Sequence, residues 1–484
     1  MSKVRPAVMW TVCALTVITV GGAAYAFVRH AYAVTLFPYE LAAGEELLLR
    51  DAVQIFRGQP VYADVNDFPF IVSNYPPLFP ALSSLLLPFV GASLSATRSV
   101  AVLSTLLCAS LVGAIVYGGS RRIVPSIICG AAFLGSIFVY QWGAWGRVDP
   151  TAFLFSLLAI LVVQRWTGWC GVTLAALFCL LSLYTKQTQW AAPLAILVWL
   201  LWWSRLRLAL GFAAVIGGLG GLLLLVGNAI TSGEFLRHLV VYNALPYSLR
   251  AFLGYWRAFA LTHGAILVIA VIYAVFCAWK RRVSLPVLYF IASGLLTLAV
   301  GRAGASSNYF LETVAASLIL CGLVWGELSE RGGYGSVIVP AALLVQLVWF
   351  RVVPVTPLSV YYDPLPSFGY TPHRADVPSC EQIDRYVMEA EGEILTEGGG
   401  FALKNGKELY GGPWLLSALE PTGLVDEGLL ILEDALEQQR FSLVILTWQS
   451  YPPRILDAVW ANYQRVDTVH CVFKYEVFLP RDPG

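Results

Sequence analysis

Long apolar stretches fill most of the first 350 residues, and they leave this chain few folds to adopt. They run roughly 8–30, 99–118, 124–143, 150–164, 169–185, 188–204, 208–228, 261–279, 283–301, 309–326 and 334–350. Hydrophobic residues make up 58% of the 484 and mean hydropathy is +0.70, so a water-soluble core could not hide this surface. A polytopic α-helical membrane protein with about 11 transmembrane helices is expected.

The stretch 77–95, just after Tyr75 and Pro76, reads either as a span or as a helix lying at the surface. Basic residues favour the surface reading. With Lys3 and Arg5 in the cytoplasm and 77–95 interfacial, Arg121, Arg122, Arg165, Arg205, Arg207, Lys280, Arg281 and Arg282 all fall inside. A spanning 77–95 would reverse them. The preferred topology puts the loop 31–98, Asp149, Lys186, Glu234 and the segment around Asn308 on the outer face. The first stretch resembles a signal peptide, but no small-residue cleavage pattern follows Ala26, so a retained anchor is expected.

Residues 354–484 differ in kind, holding 19 of the 30 acids. Pro354, Pro357, Pro364 and Pro366 mark an irregular linker into a small extracytoplasmic α/β domain. Strands are expected at 393–396, 442–447 and 474–479, and a helix from Glu427 to Gln439. The unit is either a cap without chemistry or a recognition domain. Cys380 and Cys471 lie in it and could pair in an oxidising compartment. The other seven cysteines sit in or beside apolar segments without metal-ligand spacing. There is no phosphate-binding P-loop, which argues against an ATP-driven pump.

The acids of the membrane part are sorted. Glu40, Glu45, Glu46, Asp51, Asp64 and Asp67 share the first outer loop, and only Asp149, Glu234, Glu312, Glu327 and Glu330 follow before Phe350. A loop helix is expected from about Glu45 to Phe56, stopping at Gly58. Acids at a helix start are favoured by its dipole, which would explain Glu45 and Glu46. Glu40 and Asp64 have no such reason to be there. Arg147 and Asp149 form an ionisable pair at a span boundary. Lys186 breaks the positive-inside trend, as a group binding an anion such as a lipid phosphate would; snorkelling is the plainer explanation. Arg302, Asn308, Tyr309 and Glu312 cluster at another span start. Asp67, Tyr75, His238 and Asn243 are further polar residues of the outer loops.

Gly44-Glu45 opening a helix, Gly58 closing it, Pro76-Pro77-Leu78-Phe79 before an apolar segment, then Arg98, Arg147-Val148-Asp149 and Lys186 carry a resemblance. In order and spacing they resemble the GT-C superfamily of integral-membrane glycosyltransferases, in the branch of protein mannosyltransferases and lipid A aminoarabinose transferases. The likeness covers roughly 8–350. It departs at the loop, where the branch has an Asp-Glu pair and this chain has Glu45, with Glu46 or Glu40 as the second carboxylate.

The resemblance implies a catalytic domain over 1–353 and an outer domain over 354–484. It implies an inverting glycosyltransferase that moves a sugar from a polyprenyl-phosphate donor to an acceptor hydroxyl of a lipid, glycan or protein. Glu45 would be the base, with Glu40 and Asp64 as alternatives, and Asp149 would bind the acceptor, orient the arginine or help hold a metal. Arg147, Lys186 and Arg302 would meet the donor phosphate. Asp67, Tyr75, His238, Asn243, Asn308, Tyr309 and Glu312 would contact substrate. No cofactor or essential metal is implied. Compact loops and no retention signal favour a bacterial inner membrane. The competing readings are a transporter or flippase of a lipid-linked saccharide, and a non-catalytic assembly subunit. Only an enzyme requires the loop acids, Asp149 and Lys186 to share a cavity.

Overall fold

The computed structural model describes residues 4–352 and 370–482; the proline-rich linker expected at 354–366 lies outside them. Among the described residues, six helices are long and apolar enough to cross a membrane: Ala7–Leu36, Leu94–Ser120, Leu206–Ile230, Leu249–Trp279, Ser307–Arg331 and Gly333–Phe350. Shorter apolar helices, Ile123–Leu134, Trp169–Leu183, Ala191–Trp202 and Leu285–Gly301, pack among them, as does Asp149–Arg165. The stretch 124–143, read as one span, is two helices that break at Gly135 and Ser136.

The helix Ser307–Arg331 is the hub, with 89% of its most apolar window buried, against 11% for the peripheral Leu206–Ile230. Small residues let neighbours close on it. A Cβ on Gly322 would stand 2.6 Å from Val116, and one on Gly326 2.6 Å from Ser120. Such close approach drives helix association where lipid supplies no hydrophobic contrast.

The segment 77–95 does not span. It forms two short helices, Leu78–Ser84 and Leu87–Val90, of seven and four residues, far below the ~20 needed. Before it, Glu45–Arg57 forms the expected loop helix. Gly44 opens it at φ +87° and Gly58 ends it at φ +67°, left-handed conformations that glycine adopts without steric cost.

The C-terminal unit is a four-stranded sheet in the order β1 (Ile394–Thr396), β2 (Leu443–Leu446), β4 (Phe473–Pro480), β3 (Tyr463–Cys471). β1 and β2 are parallel, and the other pairs are antiparallel. The three expected strands and the helix Asp426–Glu437 are present. The helices Val377–Glu389 and Pro453–Asn462 and the edge strand β3 were not anticipated. β3 is largely exposed and polar, so it lacks the alternating apolar signal of a half-buried strand. Cys380 and Cys471 form a disulfide that ties the helix Val377–Glu389 to β3.

Candidate active site

Arg98 enters the protein interior from the helix Leu94–Ser120 and is fully buried. Its guanidinium donates to the carbonyls of Val34, Phe37 and Tyr39, and to both Glu45 oxygens at 2.8 and 2.7 Å. Glu45 also accepts from the backbone N–H groups of Gly146 and Leu41. Burial would raise this carboxyl, but the Arg98 charge and these donors outweigh it and hold Glu45 below the usual glutamate range. Glu45, expected as the base, thus has both oxygens taken by Arg98 and by backbone donors. Its exposure is 0% and both oxygens are occupied, so it joins the first span, the loop and the turn at Gly146.

Arg147 follows that turn. Gly44 has no side chain, so the guanidinium can lie across it; a Cβ there would be 2.5 Å from Nη1. Arg147 donates to the Ala43 carbonyl and the Tyr75 hydroxyl, and packs over the Trp142 and Tyr75 rings. Its charge is felt by Asp149 on one side and by Glu46 on the other. Glu46 accepts from Gly44 N–H through one oxygen, while the other has no partner. Burial, with Glu45 adding to it, raises Glu46 to about 7. Burial and the neighbouring Glu46 raise Glu40 well above its ordinary value. The Glu40 carboxylate accepts from Gly400 N–H in the C-terminal unit, and its second oxygen is also unpartnered.

Beyond Arg147 a cavity of about 270 Å³ opens between the bundle helices. Asp149, Lys186, Gln187, Gln189, Asn308, Tyr309 and Glu312 supply its polar lining, and Phe153, Trp190, Leu296 and Leu311 much of its apolar wall. Lys186 pairs with Asp149 Oδ1 at 2.5 Å, and Asn308 donates to the same oxygen at 2.9 Å. Asp149 Oδ2 has no partner. Burial would discharge Lys186, but the Asp149 charge outweighs it and keeps the ammonium protonated. The ammonium also sits 4.4 Å from the Tyr309 ring centre, and Arg302 donates to the Tyr309 hydroxyl. Below, Glu312 accepts from Gln189 and from Tyr289 at 2.8 Å.

The structure thus brings Tyr75, Arg147, Asp149, Lys186, Arg302, Asn308, Tyr309 and Glu312 together, with Glu40, Glu45 and Glu46 behind Arg147. Four expected residues stand apart from this group. His238 is fully buried and both ring nitrogens are engaged, with Ser73 N–H and the Ala63 carbonyl. Burial lowers it to about 4, so at pH 7 it is a neutral staple of the loop. Asn243 donates to the carbonyls of Asn74 and His238 and does the same work. Asp64 is half exposed, accepts from Asn66 and faces Arg237 at 4.0 Å. Asp67 is exposed in the next turn. Gln189 and Tyr289 went unseen because a lone amide or phenol in an apolar stretch carries no spacing signal. Among the described residues, no group of three His, Cys, Asp or Glu side chains could hold a metal ion.

No family model and no curated protein matches the chain. Solved structures do. ArnT from Cupriavidus metallidurans, bound to undecaprenyl phosphate, is similar over 96% of this chain and 97% of that one, with TM-score 0.60 and 14% identity. The archaeal oligosaccharyltransferase AglB from Archaeoglobus fulgidus, in complex with an inhibitory peptide and a dolichol-phosphate, is similar over 96% and 74%, with TM-score 0.52 and 12% identity. Identities this low speak to architecture alone: over 96% of its length this chain shares the fold of the ArnT and AglB structures.

Proposed function

We propose that this protein is an inverting glycosyltransferase of a bacterial inner membrane. It takes a sugar from a polyprenyl-phosphate donor to an acceptor hydroxyl on the extracytoplasmic side. The observation that carries the reading is a cavity walled by Lys186, Asp149 and Asn308, with the Arg147 charge acting on Asp149 from outside its lining, in a fold shared with an ArnT solved with undecaprenyl phosphate. A transporter or an assembly subunit has no need of that arrangement. The basic residues that sort to the opposite side support the orientation.

The chemistry follows from charge. The acceptor hydroxyl oxygen attacks the anomeric carbon as the bond from that carbon to the phosphate oxygen breaks. The phosphate gains one negative charge, and the hydroxyl proton passes to a carboxylate. Arg147, Lys186 and Arg302 set against Asp149 leave a surplus of positive charge for the departing phosphate. Preorganised cations in a water-poor site are the strongest form of such stabilisation. We assign the base to Glu46 rather than Glu45. Glu46 lies beside Arg147, keeps an oxygen without a partner, and has a proton affinity near neutrality, where a base works best. Glu45 then acts as a positioning residue through Gly146 and Arg98.

Turnover of radiolabelled polyprenyl-phosphate sugars by the purified protein in nanodiscs tests this, comparing wild type with Glu46→Gln and Glu45→Gln. The expected result is transfer by wild type and a loss of about 10²–10⁴-fold in Glu46→Gln with donor binding retained. Folded wild type that neither binds nor turns over any donor in the panel would overturn the reading.

A further inference from the structure

The C-terminal unit meets the loop carboxylates through three consecutive glycines, Gly398, Gly399 and Gly400, which lead from β1 into the short helix Gly399–Lys404. Space demands two of them. A Cβ on Gly399 would fall 2.7 Å from Glu46 Cγ and 2.7 Å from Leu409, and one on Gly400 2.8 Å from Glu40 Oε1. Gly400 N–H donates to Glu40.

The neighbouring residues hold the same joint. Tyr39 donates to Asp384 at 2.9 Å and stacks on Phe401 at 5.0 Å, and Lys404 pairs with Asp384. From β4, Tyr475 reaches the same place, fully buried, with a hydroxyl that has no partner and that feels the charges of Glu40 and Glu46. Three oxygens on the residues that meet at this joint, Glu40 Oε2, Glu46 Oε2 and Tyr475 Oη, are buried without a partner. Unsatisfied buried polar atoms are costly and rare, and where they cluster a proton or ligand is expected among them.

We infer that the C-terminal unit is a working part of the site: its glycine turn is the positioning element that anchors Glu40 and packs against Glu46, and so fixes where the Glu46 carboxylate stands beside Arg147. The inference rests on Glu46 as the proposed base. Like charges on these two buried carboxyls oppose each other, so a charge on Glu46 raises the affinity of Glu40 for a proton. The charged and titratable groups facing the pair are Glu45, Arg98, Arg147 and Tyr475, with Asp384 and Lys404 one layer out. Of these, Glu45 and Arg98 neutralise each other. The balance is thus set by Arg147 on the bundle side and by Gly400 N–H on the C-terminal side.

The test uses the full-length protein in nanodiscs with the best polyprenyl-phosphate sugar from the panel. Gly399→Ala pushes directly on Glu46, and Tyr475→Phe removes a hydroxyl without adding volume. Gly399→Ala is expected to lower kcat at least tenfold, with the donor KM changed less than twofold, and to move the acidic limb of the kcat–pH profile. Tyr475→Phe, which folds even if the glycine variant does not, should move that limb without changing donor KM. Infrared difference spectroscopy supplies a readout independent of turnover: a protonated carboxyl band persisting at pH 7 and lost in Glu40→Gln. A band without any sugar transfer would overturn the transferase reading and leave the Glu40 proton standing. Transfer with unshifted pH profiles in both Gly399→Ala and Tyr475→Phe, and no such band, would overturn the inference.

Discussion

Glu45–Arg98 and Asp149–Lys186 are the same pairing in two settings. Both are buried acid–base pairs at the mouth of the bundle. Around Glu45–Arg98 both carboxylate oxygens are filled and the guanidinium also holds three backbone carbonyls. Nothing is left over for a ligand. Around Asp149–Lys186, Lys186 and Asn308 share a single Asp149 oxygen, the other is unpartnered, and the pair forms the wall of a cavity. A satisfied pair fixes geometry, whereas an unsatisfied pair beside open space awaits a substrate. Burial and ion pairing alone do not separate them; the count of spare hydrogen-bonding positions does.

The largest effect expected from this contrast is on folding. Glu45→Ala strands the Arg98 charge among carbonyls, which should cost about 3–5 kcal/mol, read as a fall in unfolding midpoint in detergent or SDS titration. The same pair predicts the acid response. The Glu45 carboxyl is held below its ordinary value, so its contribution is complete above the unfolded glutamate range. It is lost as pH falls through the lower folded value. Glu45→Ala protein as stable as wild type would break the comparison at its structural end.

Next comes a variant that separates structure from function at the other pair. Lys186→Gln together with Asp149→Asn removes both charges and leaves no orphan. If the pair works on the donor phosphate, the double variant should unfold like wild type yet transfer sugar about 10²–10³-fold more slowly. Recovery of both stability and turnover would make Asp149–Lys186 a second staple and erase the distinction.

Much of this architecture is legible in the sequence, for reasons that can be named. Apolar length reports spans, and Gly44 and Gly58 bracket the loop helix because only glycine enters those left-handed turns cheaply. Arg147, Asp149 and Lys186 stand out because a charge at a span boundary needs a reason. The sequence does not reveal which loop glutamate is spent on structure. Glu45 and Glu46 are adjacent on one helix, and what divides them is Arg98, 53 residues away, and a glycine turn more than 350 residues away. His238 misleads for the same reason. A histidine in a polar loop reads as a ligand until Ser73 and Ala63 are found on its two nitrogens. Partnership is a tertiary fact, and periodicity carries no trace of it.

The smallest expected effect tests the edge of the site. Asp64 was a candidate base by its place in the acid-rich loop, yet it is half exposed and 4.0 Å from the exposed Arg237. An ion pair in that much water is screened and worth little. Asp64→Asn should therefore shift stability by no more than about 0.5 kcal/mol. It should also leave kcat within about twofold, since a side chain with no role in proton transfer removes none of the ~10²–10⁴-fold that a base contributes. The measurement is a kcat–pH profile beside that of Glu46→Gln. A loss in Asp64→Asn comparable to that in Glu46→Gln would mean that the loop moves on donor binding and carries Asp64 inward. The comparison would then have to be redrawn with the acid-rich loop, rather than the cavity wall, as the unsatisfied partner.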